Sequence, residues 1–477
     1  MVEIRDIHTK LLCDNQIIYA ELYERSHTLE EASKLTEGVN IQICGRIIYK
    51  RNFGKLIFMK LGDLNGILQI SFSKEDMSAL RFNVIKKIVK VGDFIATQGI
   101  LYKTKTSELT LCVEKYKILS VATRALPEKF HGIKNTSLCY RNRYLDLITN
   151  KNTKDIFIKR CKIISFIRNY LTQQNFLEID TPILQSVVFG AEKPFVTRQN
   201  DLNKDFILRI TPELYLKQAI VGGFDRIFEI GKCFSNEGID ASNLQEFTML
   251  EWYVAYWDYK NNLSFLRKFL FSLLDCVLEK RQLVYNGHTI DFDGVWAKID
   301  FCNEISKLIN SNVLDYCNVN ELKIAIRKYD QLSRNEIDKA NSISELINML
   351  YKKRILPYII QPTILYNFPA CLFPSARRNN NDKRTIDGFQ LVVCGIEIVT
   401  AYSELIDPKI QKQTFEELVN NRINKGEKTF EPDWDYIKAM EYGMPPASGV
   451  RVGIDHLVAI LCNQSSLRKV ILFPPVR

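Results

Sequence analysis

Between residues 38 and 122, apolar and polar positions alternate in five short runs: VNIQICGRIIYK, KLIFMKLGD, ILQISF, GDFIATQGILYK and SELTLCVEKYKIL. Alternation with a period of two marks half-buried strands. Turn residues separate the runs, and a helical stretch near 77–91 falls after the third. Five strands with a helix at that point predict a Greek-key barrel of the OB type, a fold that commonly binds single-stranded nucleic acid on its sheet face. Residues 1–37 read as a helical lead-in, with Thr28 placed as a cap before Glu30 and Glu31. A linker covers 123–150, and from 151 to 477 long helical patterns alternate with β-rich pairs. The fold class expected is α+β: the barrel, then an antiparallel sheet flanked by helices, with 290–350 as a helical insertion. The polar run RRNNNDKR at 377–384 reads as a mobile loop.

Composition narrows the class only modestly. The chain has 477 residues, 46% hydrophobic and 25% charged, which suits two or three soluble domains. No apolar run approaches the roughly 18 residues that cross a bilayer, so no membrane partner is expected. The start, MVEIRDIHTKLL, lacks the basic-then-apolar order of a secretory signal, and a cytoplasmic location is expected. Sixty-five basic against fifty-five acidic side chains leave +10, an excess that favours a polyanionic partner. The twelve cysteines contain no C-x-x-C pair, so free thiols are expected rather than zinc or disulfides.

The most specific segment is FSNEGIDASNLQEFTMLEWY, Phe234 to Tyr253. It resembles motif 2 of the class II lysyl-tRNA synthetases, a strand–loop–strand usually reading F-R-N-E-G-I-S-x-R-H-N-P-E-F-T-M-x-E-x-Y. FLEIDTPILQ looks like motif 1, whose proline, here Pro182, the family places at a twofold interface; GVRVGIDH looks like motif 3. The resemblance runs from about Gly38 to Arg477. It implies an OB-fold anticodon-binding domain and a class II synthetase domain, closed by a strand and helix in SSLRKVILFPPVR. It further implies a homodimer, and lysine tRNA and L-lysine as ligands.

An aromatic on a strand face can stack an unpaired base, and amide and carboxylate groups can read its edge. By the match, Phe58 would stack the central anticodon base, Gln69 and Glu108 would hydrogen-bond bases, and Arg51 would stand nearby with Lys50 and Lys55. Without the resemblance, Phe58 is equally a core phenylalanine and Glu108 a solvated turn residue. For the amino acid, the match assigns Glu251 and Glu404 to the side-chain ammonium, Tyr253 and Tyr402 to its stem, and Glu213 and Gly190 to the α-amino group. Buried carboxylates are costly unless paired, so a cationic ligand gives a reason for having two. Structural pairs with Arg or Lys are the competing reading. Thr400-Ala401 stand where the family has Asn-Gly, and F-G-A-E-K-P-F is one residue shorter than its counterpart.

Activation of an amino acid requires attack on the α-phosphorus of ATP, supported by guanidinium groups and carboxylate-held magnesium. Here the family's phosphate ligands are replaced. Ser235 stands for the motif 2 arginine, Ser242-Asn243 for the loop Arg-His pair, and His456 for the motif 3 arginine. Gln390 stands for one magnesium glutamate, while Arg451 occupies a glycine position. Asn236, Glu237, Phe247 (where the family stacks adenine) and Glu397 remain, the last as the one retained metal ligand. With Gly388, which stands for the arginine of the family's R-F-E, seven departures gather around one ligand while the neighbouring frames stay intact. The expected function is a lysyl-tRNA synthetase homologue that binds lysine tRNA, and lysine weakly, with ATP-dependent activation impaired or lost. Two alternatives stay open. One is a working ligase with a rearranged site using ATP and Mg2+, in which Arg451 reaches the phosphates; the other transfers lysine to a non-tRNA acceptor.

Overall fold

In the computed structural model the described residues are 20–127, 135–187, 193–238, 243–328, 333–424 and 432–475. The chain divides into two compact units, Met1–Asn135 and Thr136–Arg477. The first is a closed barrel of β1 (Asn40–Asn52), β2 (Leu56–Gly62), β3 (Ile67–Ser73), β4 (Phe94–Lys103) and β5 (Leu109–Ser120), ordered β1-β2-β3-β5-β4. Strict alternation explains it: Ile57, Met59 and Leu61 point inward along β2, while Phe58 and Lys60 point out. The helix Ala79–Lys87 follows β3 as expected, and buries Phe82 and Ile85. Lys50 does not join the outer face. Its ammonium donates to the carbonyls of Ile85, Lys86 and Val89 at the end of that helix, and burial pulls its pKa down to about 8.

The lead-in is not helical where it is described. Only Leu29–Ala32 forms a turn of helix, closed by the expected Thr28–Glu31 capping box. Residues before it are tied to the barrel strands, Ala20 to the Leu119 carbonyl and Ser26 to that of Gln42, which leaves the backbone no helical partners.

The second unit is built on an eight-stranded mixed sheet. Its strands, with two small satellite sheets, follow in chain order: β6 (Leu177–Glu178), β7 (Leu184–Gln185), β8 (Phe195–Gln199), β9 (Lys204–Leu208), β10 (Arg226–Phe234), β11 (Glu246–Ala255), β12 (Gln282–Tyr285), β13 (His288–Asp291), β14 (Ala297–Asp300), β15 (Thr363–Tyr366), β16 (Gly388–Val393), β17 (Ile396–Ser403) and β18 (Ala447–Gly453). The large sheet runs β14-β15-β16-β17-β18-β11-β10-β6, antiparallel except at the two edge pairings. One face packs on the helices Lys151–Gln173, Tyr259–Leu278 and Ile454–Leu461 through Leu250, Trp252, Phe269, Val452 and Leu457. The other face carries the polar row described below. The insertion holds helices with their own core around Phe301, Ile305, Leu346 and Leu350.

Three expectations change. The linker's second half is helical (Thr136–Arg141 and Arg143–Thr149), and buried Arg143 pairs with Asp146 and donates to the Leu472 carbonyl. The run 377–384 is pinned rather than loose: Arg377 pairs with Asp387 at 2.7 Å, and Arg378 donates to the Ala370 carbonyl. From 465 to 475 the chain contains one 3₁₀ turn, Leu467–Lys469, and no strand, in keeping with Pro474 and Pro475, which lack ladder donors.

Candidate active site and nucleic-acid face

The open face of the large sheet is set by register. Glu229 on β10 lies opposite Glu251 on β11, which lies opposite Arg451 on β18, then Thr400 on β17 and Gln390 on β16. One step along, Tyr253, Gly449, Tyr402 and Gly388 form the parallel row. Side chains in register across antiparallel strands share a face, so five strands place these nine positions on one floor. Gly449 is required there. A methyl group at that position would fall 2.4 Å from Tyr253 Cε1 and 2.6 Å from Glu404 Oε1.

Above the floor stands the helix Glu213–Val221. Its Glu213 and Lys217, four residues apart, face the sheet. Lys217 Nζ lies 2.6 Å from Glu213 Oε1 and 2.5 Å from Glu404 Oε2, and is fully buried. Arg451 Nε lies 3.1 Å from Glu251 Oε1, and its Nη2 lies 3.5 Å from Glu213 Oε2. Thr211 and Tyr253 hydroxyls donate to Glu251, at 2.7 and 3.2 Å, and the Tyr402 hydroxyl donates to Glu213 at 3.1 Å. Glu213, Glu251, Tyr253, Tyr402 and Glu404 thus meet in one cluster, as expected for an amino-acid pocket. Gly190, the remaining candidate, lies outside the described residues. Lys217 was not singled out from sequence, although its four-residue spacing from Glu213 on one helix face signals it.

Burial pushes the Glu404 carboxyl up to about 8 against the pull of Lys217. It also raises Glu251, against the pull of Arg451. For Glu213, desolvation is outweighed by Lys217 and Arg451, which hold it below the usual carboxylate range. Glu251 and Glu404 each face a cation of the chain itself, Arg451 and Lys217, which is the pairing the competing reading describes. Glu404 Oε1 is the exception, for it has no hydrogen-bond donor among the described residues.

The nucleotide side is poor in positive charge. Ser235 and Asn236 make backbone bonds to Gln245 and Lys193, Asn236 and Glu237 are exposed, and Phe247 is half-buried against the main core. Asn243 is exposed and Ser242 lies outside the described residues. His456 packs beside Gly453, whose added methyl would lie 3.1 Å from its Nδ1. Buried Arg209 pairs with Glu229 at 2.5 Å, and half-buried Arg160 pairs with Asp455 at 2.7 Å. Arg451 turns to Glu251 and Glu213, so the phosphate-directed pose considered from sequence is not the one adopted.

The metal candidates do not fit a hard dication. Magnesium needs oxygen ligands with at least one or two free carboxylates. Gln390 presents a neutral amide whose Nε2 donates to Thr400 Oγ1 at 3.3 Å. Burial raises the Glu397 carboxyl, with Tyr351 and Lys352 pulling the other way. Among the described residues no group of three His, Cys, Asp or Glu side chains is placed to hold a metal.

The barrel unit gathers its candidates better. Phe58 stands opposite Arg51 and Ser71, Lys60 opposite Gln69, and Gln69 opposite Thr110. Lys60 pairs with Glu108 at 2.8 Å. Arg51, Phe58, Gln69 and Glu108 therefore share one outer face, and Phe58 is half-exposed there rather than in the core. Phe53, 57% exposed and edge-on to Phe58 at 6.1 Å with Arg51 over its ring, was missed from sequence. Its exposure in a turn is what no alternation pattern reports.

Comparison with known proteins agrees with this architecture. A family model described as tRNA synthetases class II (D, K and N) matches residues 135–477, and one described as an OB-fold nucleic acid binding domain matches 41–119. A lysine–tRNA ligase of Buchnera aphidicola subsp. Schizaphis graminum is 39% identical over 467 residues, covering 97% of this chain and 91% of the relative. One from Wigglesworthia glossinidia brevipalpis is 38% identical, covering 92% and 88%. One from Staphylococcus epidermidis is 37% identical, covering 94% and 90%. The chain belongs to the class II tRNA synthetases of the D, K and N group, and within them to the lysine–tRNA ligase family.

Proposed function

We propose that this protein binds lysine tRNA and L-lysine while activating lysine with ATP poorly or not at all, and so acts as a tRNA-binding or regulatory member of its family. The observation that carries this reading is the contrast between two surfaces. The barrel keeps an exposed aromatic and basic face, whereas the nucleotide side has Ser235, Gln390 and His456 where charge is needed and no unneutralised buried arginine among the described residues. ATP and Mg2+ would be cofactors only if activity survives; the retained candidates, Asn236, Glu237, Phe247 and Glu397, supply two carboxylates, exposed Glu237 and a Glu397 whose carboxyl burial raises. A working ligase is the rival, and the names of the relatives favour it. Calorimetry with ATP and magnesium, alongside a gel shift with lysine tRNA, separates the two. A shifted tRNA without nucleotide heat is expected, and ordinary nucleotide binding would refute the proposal.

The amino-acid site would use Glu404 for the side-chain ammonium, with Tyr253 and Tyr402 along the stem and Glu213, Glu251 and Gly190 completing it. Orphaned Glu404 Oε1, which lies beside Gly449, supports this. A homodimer through the Pro182 segment is supported by exposed Leu177, Ile183 and Leu184. No helix among the described residues is long and apolar enough to cross a membrane, and the described cysteines are all free thiols. Free thiols suit the cytoplasmic setting that a tRNA partner implies.

Anticodon recognition has its own test. Stacking of a base on an aromatic ring contributes ~1–3 kcal/mol. Phe58→Ala should therefore weaken lysine-tRNA binding by about 5- to 150-fold in a filter-binding titration. The barrel should keep its circular dichroism, because Phe58 lies outside its core.

A further inference from the structure

Three carboxylates, Glu213, Glu251 and Glu404, converge in the cavity, and two cations of the chain, Lys217 and Arg451, already face them. The two cations differ in kind. Lys217 is wholly buried between helix and sheet and belongs to the scaffold, whereas the Arg451 side chain is 36% exposed and reaches Glu251 and Glu213 from the solvent side. Glu251 and Glu213 are themselves 1% and 3% exposed. A guanidinium entering from the open side and ending on two buried carboxylates occupies the place a free cationic amino acid would take.

Lysine brings two ammonium groups and one carboxylate. One ammonium can face the open Glu404 Oε1, whereas the other meets Glu213 and Glu251, which Arg451 already holds. Burying an ammonium without a counter-charge is strongly unfavourable.

We propose that Arg451 is an internal occupant of the amino-acid pocket: its guanidinium holds Glu213 and Glu251 in place of a diamino-acid ligand, and such a ligand binds only by displacing it. This rests on the reading of the cavity as an amino-acid site. It makes Arg451 the residue that sets the affinity and charge class of what enters. A monoamine reaching Glu404 Oε1 meets less opposition than lysine does.

The experiment is calorimetric titration of L-lysine into the wild-type protein and into Arg451→Ala, Arg451→Gly and Arg451→Lys. Removing the guanidinium should tighten lysine binding at least tenfold in the Ala and Gly variants, while the Lys variant, which keeps a cation on Glu251, stays near wild type. Because withdrawal of Arg451 leaves Glu251 without its cation, folding of each variant is checked by circular dichroism. Arg451→Gln, which keeps hydrogen-bond donors without charge, serves if the smaller variants fail to fold and should show the same tightening. Equal lysine affinity in wild type and the folded variants overturns the proposal while leaving the amino-acid site intact. Absence of lysine binding in every folded variant overturns both.

Discussion

Lysine-dependent exchange of pyrophosphate into ATP should run at least a thousandfold below the rate of a lysine–tRNA ligase with an intact site. Loss of a single group that stabilises developing negative charge costs roughly 3–4 kcal/mol in the transition state, a factor of 10² to 10³. By the motif resemblance, Ser235 and His456 stand for two such groups, and Gln390 for a metal carboxylate. Such losses are not additive, since groups that act together fail together, so a thousandfold is a floor rather than a sum. The structure offers no replacement among the described residues: Arg160 and Arg209 are neutralised, and Arg451 faces the carboxylates instead. The combined variant Ser235→Arg, Gln390→Glu, Arg451→Gly, His456→Arg should recover measurable exchange, because Gln390 and Arg451 sit in register on intact strands, Ser235 directly follows β10, and His456 lies in the helix that follows β18. Exchange in the wild type within tenfold of an ordinary ligase would show that the nucleotide is held by other means.

Lys217→Met should lower the unfolding free energy by about 3–5 kcal/mol at neutral pH, the usual consequence of removing one partner from a buried ion pair. Lys217 is completely buried and is the shared counter-ion of Glu213 and Glu404. The pH dependence is diagnostic. In the wild type, burial raises Glu404 above its unfolded value, to about 8, so its folded form binds protons more tightly. The stability linked to that group is fully present below the unfolded carboxylate value and is lost as pH rises through about 8. Glu213 has the opposite sign: held low by Lys217 and Arg451, it stabilises above its unfolded value and loses that contribution on acidification. Without Lys217 both carboxyls should move up, so the penalty should shrink when both are protonated. Urea titrations at pH 5 and pH 7.5 measure this. A deficit of the same size at both pH values would mean that Lys217 matters for packing rather than for charge.

How much was legible in the sequence depended on the range of the interactions involved. The barrel strands were readable because alternation is local: Ile57, Met59 and Leu61 fall inward by period alone. The motif frames around Glu213, Glu251 and Glu404 were readable for a different reason, since a resemblance carries spatial information that spacing does not. Errors came where a segment's partners lie far along the chain. Residues 20–28 look fit for helix, yet their backbone bonds run to Gln42 and Leu119. Lys50 looks like one more surface cation, yet it closes the end of a helix some 35 residues on. The run at 377–384 is polar enough for a free loop, but Asp387 and the Ala370 carbonyl hold it down.

The sequence by itself determined the two-part architecture and the family, and it puts Ser235, Gln390 and His456 where the resemblance expects charged side chains, because each depends on which residue occupies which place in a local frame. Only the tertiary structure decided where the remaining charges go. The strand register sets Arg451 beside Glu251, and the packing of one helix on the sheet sets Lys217 between Glu213 and Glu404. Electrostatic pairing falls off over a few ångströms, and positions separated by some two hundred residues come within that distance only when the chain has folded.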